Sequence, residues 1–140
     1  MSYVALATDN FDRMTRFYGQ TLAFPVLDEW DRSRGRGRRF DLGKGLKLEL
    51  LDNQREAKPL LISCLGDRLH IVVEVIDIYR ARAGLSIQSP DVQRVSWGAL
   101  LFQIKDPDGT PITYLEWTDK YPPESVKRLI NPEDFHRSKL

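Results

Sequence analysis

Two short stretches of this chain hold side chains that could do chemistry: "LKLELL", residues 46 to 51, and "LHIVVEV", residues 69 to 75. Successive side chains of a strand alternate faces. Leu46, Leu48 and Leu50 therefore share one side, and Lys47, Glu49 and Leu51 the other. The leucine side belongs on a hydrophobic core, which leaves Glu49 facing water or a polar cavity. A carboxylate in a cavity can serve as a general base. His70 is one of only two histidines and opens an apolar strand. It is either a metal ligand or a hydrogen-bonded piece of wall. Glu74 shares its face, but four strand residues span roughly 13 Å, so those two cannot hold one ion. The other histidine, His136, falls in a polar C-terminal stretch and reads as solvated.

Other residues pose similar choices. "RSRGRGRR" packs Arg32, Arg34, Arg36, Arg38 and Arg39 into eight residues. Arginine forks suit a carboxylate or phosphate, and Arg39 is placed best to reach one. No aromatic residue interleaves with the run, so a solvated hairpin tip is the simpler expectation and nucleic acid is not an expected partner. Trp30, Trp97 and Trp117 fall near strand ends, where they either pack the rim of a core or line an aromatic pocket. Cys64 is the sole cysteine and sits in "LLISCLG". It reads as a small buried hydrophobe, and no internal disulfide can form.

These residues are positioned by a repeated unit. "YVALAT" reads as a strand, and "DNFDRMTRFYGQ" as a helix with Asp9 or Asn10 as cap, apolar faces at Phe11, Met14, Phe17 and Tyr18, and Gly19 as its end. "FPVLDEWD", "RRFDL" and "LKLELL" complete three strands, with "RSRGRGR" and "GKG" as turns. The order recurs: strand "LHIVVEV", short helix "IDIYRARAG", broken strand "IQSPDVQRVSW", strand "ALLFQIK", turn "DPDG" and strand "TPITYLEW". Tyr3 aligns with His70 at an offset of 67 residues, and Asn10 with Asp77. The chain reads as one domain, residues 1–140, of the α+β class. A first βαβββ module spans 3–51, a linker 52–68 and a second module 69–118. The tail, 119–140, carries a short helix in "PPESVKRLI". Neither module could bury its sheet alone.

Composition fits a globular protein, with 41% hydrophobic and 29% charged residues and a net charge of +1. That balance gives no global field for nucleic acid or a membrane surface. The start, "MSYVALATDN", lacks a signal-peptide pattern, and no apolar run approaches the roughly 20 residues of a membrane span. A cytoplasmic location is expected.

The two modules, with "YVALATDNFDRMTRFYGQTLAFPVLDE", "LKLELL", "HIVVEVIDI" and "WGALLFQIKDPDGTPITYLEW" in that order, resemble the vicinal oxygen chelate superfamily. That group includes glyoxalase I, extradiol dioxygenases and bleomycin-resistance proteins. The resemblance implies curved mixed sheets around a central cavity. In metal-using members, ligands come from the start of the first strand and from the last strand of each module. The matching positions here are Tyr3, His70, Glu49 and Thr113, the last two each four residues past a turn glycine. Glu49 and His70 could bind metal, while Tyr3 and Thr113 are poor ligands, so a divalent ion such as Zn, Ni, Mn or Fe is expected to be weakly held or absent. Glu116, paired with Glu49 by direct use of the 67-residue offset, should point away from the cavity if Thr113 points in; a β-bulge near Pro111 would reverse that.

Two functions compete. The first is a small-molecule-binding protein with an incomplete metal site, lined by Tyr3, Thr113, Trp30, Arg39, Trp97 and Trp117. The second is a metal-dependent lyase, isomerase or dioxygenase of the glyoxalase type, with Glu49 as base beside a metal held by His70 and Glu49. A homodimer is expected from the resemblance, and the modules could pair within one chain or between two. The second helix is short, which leaves sheet surface for a neighbour or the tail to cover.

Overall fold

The computed structural model describes residues 1–59 and 69–118. Cys64, the tail helix and His136 lie outside the described residues. The first module runs β1 (Val4–Thr8), α1 (Phe11–Arg16), a π-helical turn (Phe17–Thr21), β2 (Val26–Arg32), β3 (Gly35–Gly43) and β4 (Leu46–Asp52). A short 3-10 turn, Asn53–Arg55, follows. The second module runs β5 (Ile71–Glu74), α2 (Ile78–Ala83), β6 (Gln93–Val95), β7 (Ala99–Lys105) and β8 (Pro111–Trp117). Each module forms a mixed four-stranded sheet, in the orders β1-β4-β3-β2 and β5-β8-β7-β6. The first and last strands of a module pair in parallel and the others antiparallel. This is the expected α+β architecture of two βαβββ units.

Alternation along the strands decides what each sheet face does. Phe40, Leu42, Leu48 and Leu50 of the first sheet join Ile71, Val73, Phe102, Ile104, Ile112 and Tyr114 of the second in one buried cluster. Phe11, Met14 and Tyr18 of the first helical segment and Ile78 of α2 complete it. Burial of such side chains contributes roughly 1.5–3 kcal/mol each. The modules therefore share a core on their helix sides. Their other faces, which carry Glu49 and His70, turn away from that core.

The first helix departs from expectation in three ways. Gly19 does not end it: the helical run passes through Gly19 as a π turn and stops after Thr21, where Ala23 takes φ +60°. A Cβ on Gly19 would lie 3.2 Å from the Phe40 ring, so glycine serves a close approach here. Asn10 is the N-cap residue, but its side chain makes no cap bond; its amide donates instead to Asp108 at 2.9 Å. Tyr18 packs its ring on Phe40 of its own sheet, and its hydroxyl donates across to Asp106 of the "DPDG" turn at 2.8 Å. Both positions thus bond across to the second module, and at Asn10 that bond takes the side chain away from the helix end.

The arginine hairpin is tighter than expected. Gly35 and Gly37 lie within β3, not in a turn. Gly37 stands opposite Trp30, and a Cβ there would fall 2.3 Å from the indole. The strand continues through a glycine because an aromatic ring rests on it. The second module's broken strand keeps only Gln93–Val95 in the sheet.

Candidate functional site

The first polar cluster is built on β1–β4. Arg39 stands beside Glu49 on β4 and Asp28 on β2, so all three share a face. Its Nε donates to Glu49 Oε2 at 2.6 Å, and its Nη1 to Asp28 Oδ2 at 2.8 Å. The guanidinium lies 4.6 Å from the Tyr3 ring centroid and 4.9 Å from that of Trp30, both within cation–π range. The Glu49 hydrogen bond holds the Arg39 pKa above its ordinary value, so the charge is fixed. Glu49 is only 5% exposed, beneath this arginine. The structure thus brings together Tyr3, Trp30, Arg39 and Glu49.

The second cluster is built on β5, β8 and β7. His70 immediately precedes β5, and its Nε2 lies 2.6 Å from Thr113 Oγ1. Gln103 Nε2 lies 3.2 Å from both atoms. The Gln103 amide nitrogen faces His70 Nε2, and the donor and acceptor roles in this triangle follow the tautomer of the ring. Beyond this cluster, Trp97 and Trp117 pack edge to face with centroids 5.5 Å apart. A groove of about 260 Å³ runs from His70 and Val72 past Val4 to Leu46, Lys47 and Leu48.

The register settles the correspondence between modules. Ala5 stands opposite Glu49 in β1–β4, and Val72 stands opposite Thr113 in β5–β8. Ala5 and Val72 are themselves 67 residues apart, so Glu49 and Thr113 occupy equivalent places. The β7–β8 ladder runs without a bulge. Glu116 faces the helix side, where its Oε1 accepts from the Ile78 amide of α2 at 2.8 Å. It is a cap for that helix.

The donors do not fit a tightly bound metal. Glu49 is engaged by Arg39, and His70 Nε2 by Thr113 and Gln103. Among the described residues, no three of His, Cys, Asp and Glu converge. A site for a divalent ion draws three or four such side chains.

Most of the arginine run is also committed. Arg36 pairs with Asp12, Arg38 with Glu29 at 2.9 Å, and Arg39 with Glu49 and Asp28. The hairpin is thus laced by ion pairs, more ordered than a solvated tip and less available than an anion clamp. Sequence reasoning missed Asp28 and Gln103. Both were countable: Asp28 is two residues from Trp30 on one strand face, and Gln103 pairs with Thr113 across the hairpin closed by "DPDG".

Comparison with known proteins agrees with this architecture. The family model described as the Glyoxalase/Bleomycin resistance protein/Dioxygenase superfamily matches residues 1–114. The chain belongs to that superfamily. A glyoxalase family protein from Enterococcus faecalis is 26% identical, with a TM-score of 0.58, covering 83% of this chain and 96% of the other. An antibiotic-binding protein from Streptomyces sp. CB03234 is 20% identical, with a TM-score of 0.57, covering 84% and 97%. A lactoylglutathione lyase from Agrobacterium tumefaciens is 20% identical, with a TM-score of 0.57, covering 83% and 92%. The last two share the fold. No curated protein matches the sequence. Among the described residues, no helix is long and apolar enough to cross a membrane.

Proposed function

We propose that this chain is a small-molecule-binding protein that needs no tightly held metal, and that two copies build each binding pocket between them. The observation that carries the first half is Arg39. Its guanidinium donates to Glu49 Oε2 and lies over the rings of Tyr3 and Trp30. A fixed organic cation stands where a metal would need a free carboxylate.

The second half rests on surface left unpaired. β1 and β5 are sheet edges among the described residues. Along them Tyr3 is 44% exposed, Val4 40% and Val72 48%. Open edges with apolar side chains favour association. A partner placed across them would bring the Tyr3–Trp30–Arg39 surface of one copy over the His70–Thr113–Gln103 surface of the other. The pocket so formed has aromatic walls and a few fixed polar groups, which suits an aromatic or amphipathic ligand. That a protein sharing this fold is described as antibiotic-binding supports a small-molecule occupant.

The test is a ligand screen by thermal shift, run in parallel with EDTA and with added Zn, Ni, Mn or Fe, alongside light scattering for mass. The expected result is a dimer stabilised by aromatic ligands equally with and without chelator, with the shift lost in Trp30→Ala. Stabilisation that requires a divalent ion and vanishes in His70→Ala would overturn this reading. It would favour a metal-dependent lyase or dioxygenase in which Arg39 releases Glu49.

A further inference from the structure

The arginines of this protein fall into two groups. Arg36, Arg38, Arg39, Arg55 and Arg82 each have an acidic partner. Arg13, Arg16, Arg32, Arg34, Arg80 and Arg94 have none among the described residues, and of these Arg13 and Arg16 line one cleft of about 440 Å³ between the first helical segment and the β7–β8 turn. Lys105, also without an acidic partner among the described residues, reaches the same cleft from the other module. Phe17, Thr21 and Pro107 form the remaining wall, together with Asp106.

The charge balance of this cleft is lopsided. Asp106 is its one acid, and that carboxylate is already engaged. Its Oδ1 accepts from the amides of Asp108 and Thr110, and its Oδ2 from the Tyr18 hydroxyl. Three cations against one occupied carboxylate leave a net charge of +2. Arg13 and Arg16 are three apart on a helix, where like charges repel. The C-terminal end of α1 favours cations, which accounts for the two arginines. It does not account for Lys105, which arrives from the second module at the same opening.

We propose that this cleft binds the phosphate of a small organic phosphate. Arginine forks and a lysine ammonium match phosphate oxygens in geometry and charge. The cleft volume lies within the range of small-ligand pockets. The Phe17 ring and Pro107 supply an apolar wall for the organic part, and Thr21 a hydroxyl. None of these residues belongs to the Glu49 or His70 clusters, so the site stands apart from the pocket proposed above. Because the cations come from both modules, occupancy would hold the modules together beside the Tyr18–Asp106 bond.

The experiment is an NMR titration of the full chain with inorganic pyrophosphate at low ionic strength, against sodium chloride at matched ionic strength. The expected result is saturable shifts in the amides of Phe17, Thr21, Lys105 and Asp106, absent with chloride. Affinity should fall at least tenfold in the triple variant Arg13→Gln, Arg16→Gln, Lys105→Gln and stay unchanged in Arg80→Gln and Arg94→Gln. Should the triple variant fold poorly, Arg16→Gln and Lys105→Gln singly should each weaken binding severalfold. Linear shifts, equal response to chloride, or binding that survives loss of these cations would overturn the proposal.

Discussion

Tyr18 and Asp106 lie 88 residues apart in sequence and are joined by a buried hydrogen bond of 2.8 Å between the two modules. Tyr18 is fully buried, and Asp106 nearly so. The same carboxylate organises the "DPDG" turn through two backbone amides. One side chain therefore sets the shape of the β7–β8 hairpin and anchors the first module to it.

Replacing Tyr18 by Phe keeps the ring packing on Phe17, Phe24 and Phe40 and removes only the hydroxyl. Asp106 Oδ2 then lacks a donor in a buried place. A lost bond to a buried carboxylate costs about 1.5–3 kcal/mol. Urea unfolding should show a loss of about 2 kcal/mol with the m-value unchanged. An unaltered midpoint would mean that water replaces the hydroxyl at no cost.

Asp106 also predicts a pH dependence. Burial raises its pKa above the ordinary 3.8, and the bonds from Tyr18, Thr110 and Asp108 pull it back only in part. A raised folded value means that the native state holds the proton longer than the unfolded chain. The stability from this group is full below pH 3.8 and is lost as pH rises through the folded value. In Asp106→Asn this loss disappears. Relative to the unmodified protein, the variant should gain stability as pH rises above 3.8 in paired urea titrations. A parallel offset across that range would contradict the assignment.

Gly37 and Trp30 form a second dependent pair. A methyl group at Gly37 would sit 2.3 Å from the indole. The ring must move, and it cannot do so without leaving the Arg39 guanidinium. Overpacking of this kind costs typically 1–3 kcal/mol. Gly37→Ala should lower stability by about 2 kcal/mol and shift tryptophan emission to the red, whereas Gly35→Ala, with open space around it, should do neither. Equal effects from both would point to strand entropy instead.

Much of this architecture could be read in the residues. Alternation in "LKLELL" placed the leucines in the core and Glu49 on the opposite face, and the 67-residue repeat placed both modules. Turn glycines located Glu49 and Thr113 as equivalents. What failed was the assumption that local signals act alone. Asn10 looked like a cap and Gly19 like a helix end, but contacts with Asp108 in the β7–β8 turn and Phe40 on β3 decided both. The arginine run looked like a free basic tip because its partners, Asp12, Asp28 and Glu29, lie on neighbouring elements that only the folded hairpin brings near. The commitment of Glu49 to Arg39 was hidden for the same reason: pairing across strands depends on register, and an irregularity between Asp41 and Gly43 shifts the count in the β3–β4 ladder.

Glu116 provides the sharpest separation between a structural and a chemical carboxylate. Its Oε1 accepts from the Ile78 amide, one of the donors at the start of α2 that have no partner within the helix. Asp77 caps the same helix by accepting from the Arg80 amide at 3.1 Å. The two carboxylates divide the work, so removing one leaves the other in place. Glu116→Ala should cost about 1 kcal/mol, the usual effect of losing a cap. Amide exchange should quicken across Ile78–Ala83 and stay unchanged in β4. Ligand affinity at the pocket between copies should not move, because Glu116 faces the helix and Thr113 the opposite side. A variant that folds normally but loses ligand would return Glu116 to the pocket and require a different register for β8.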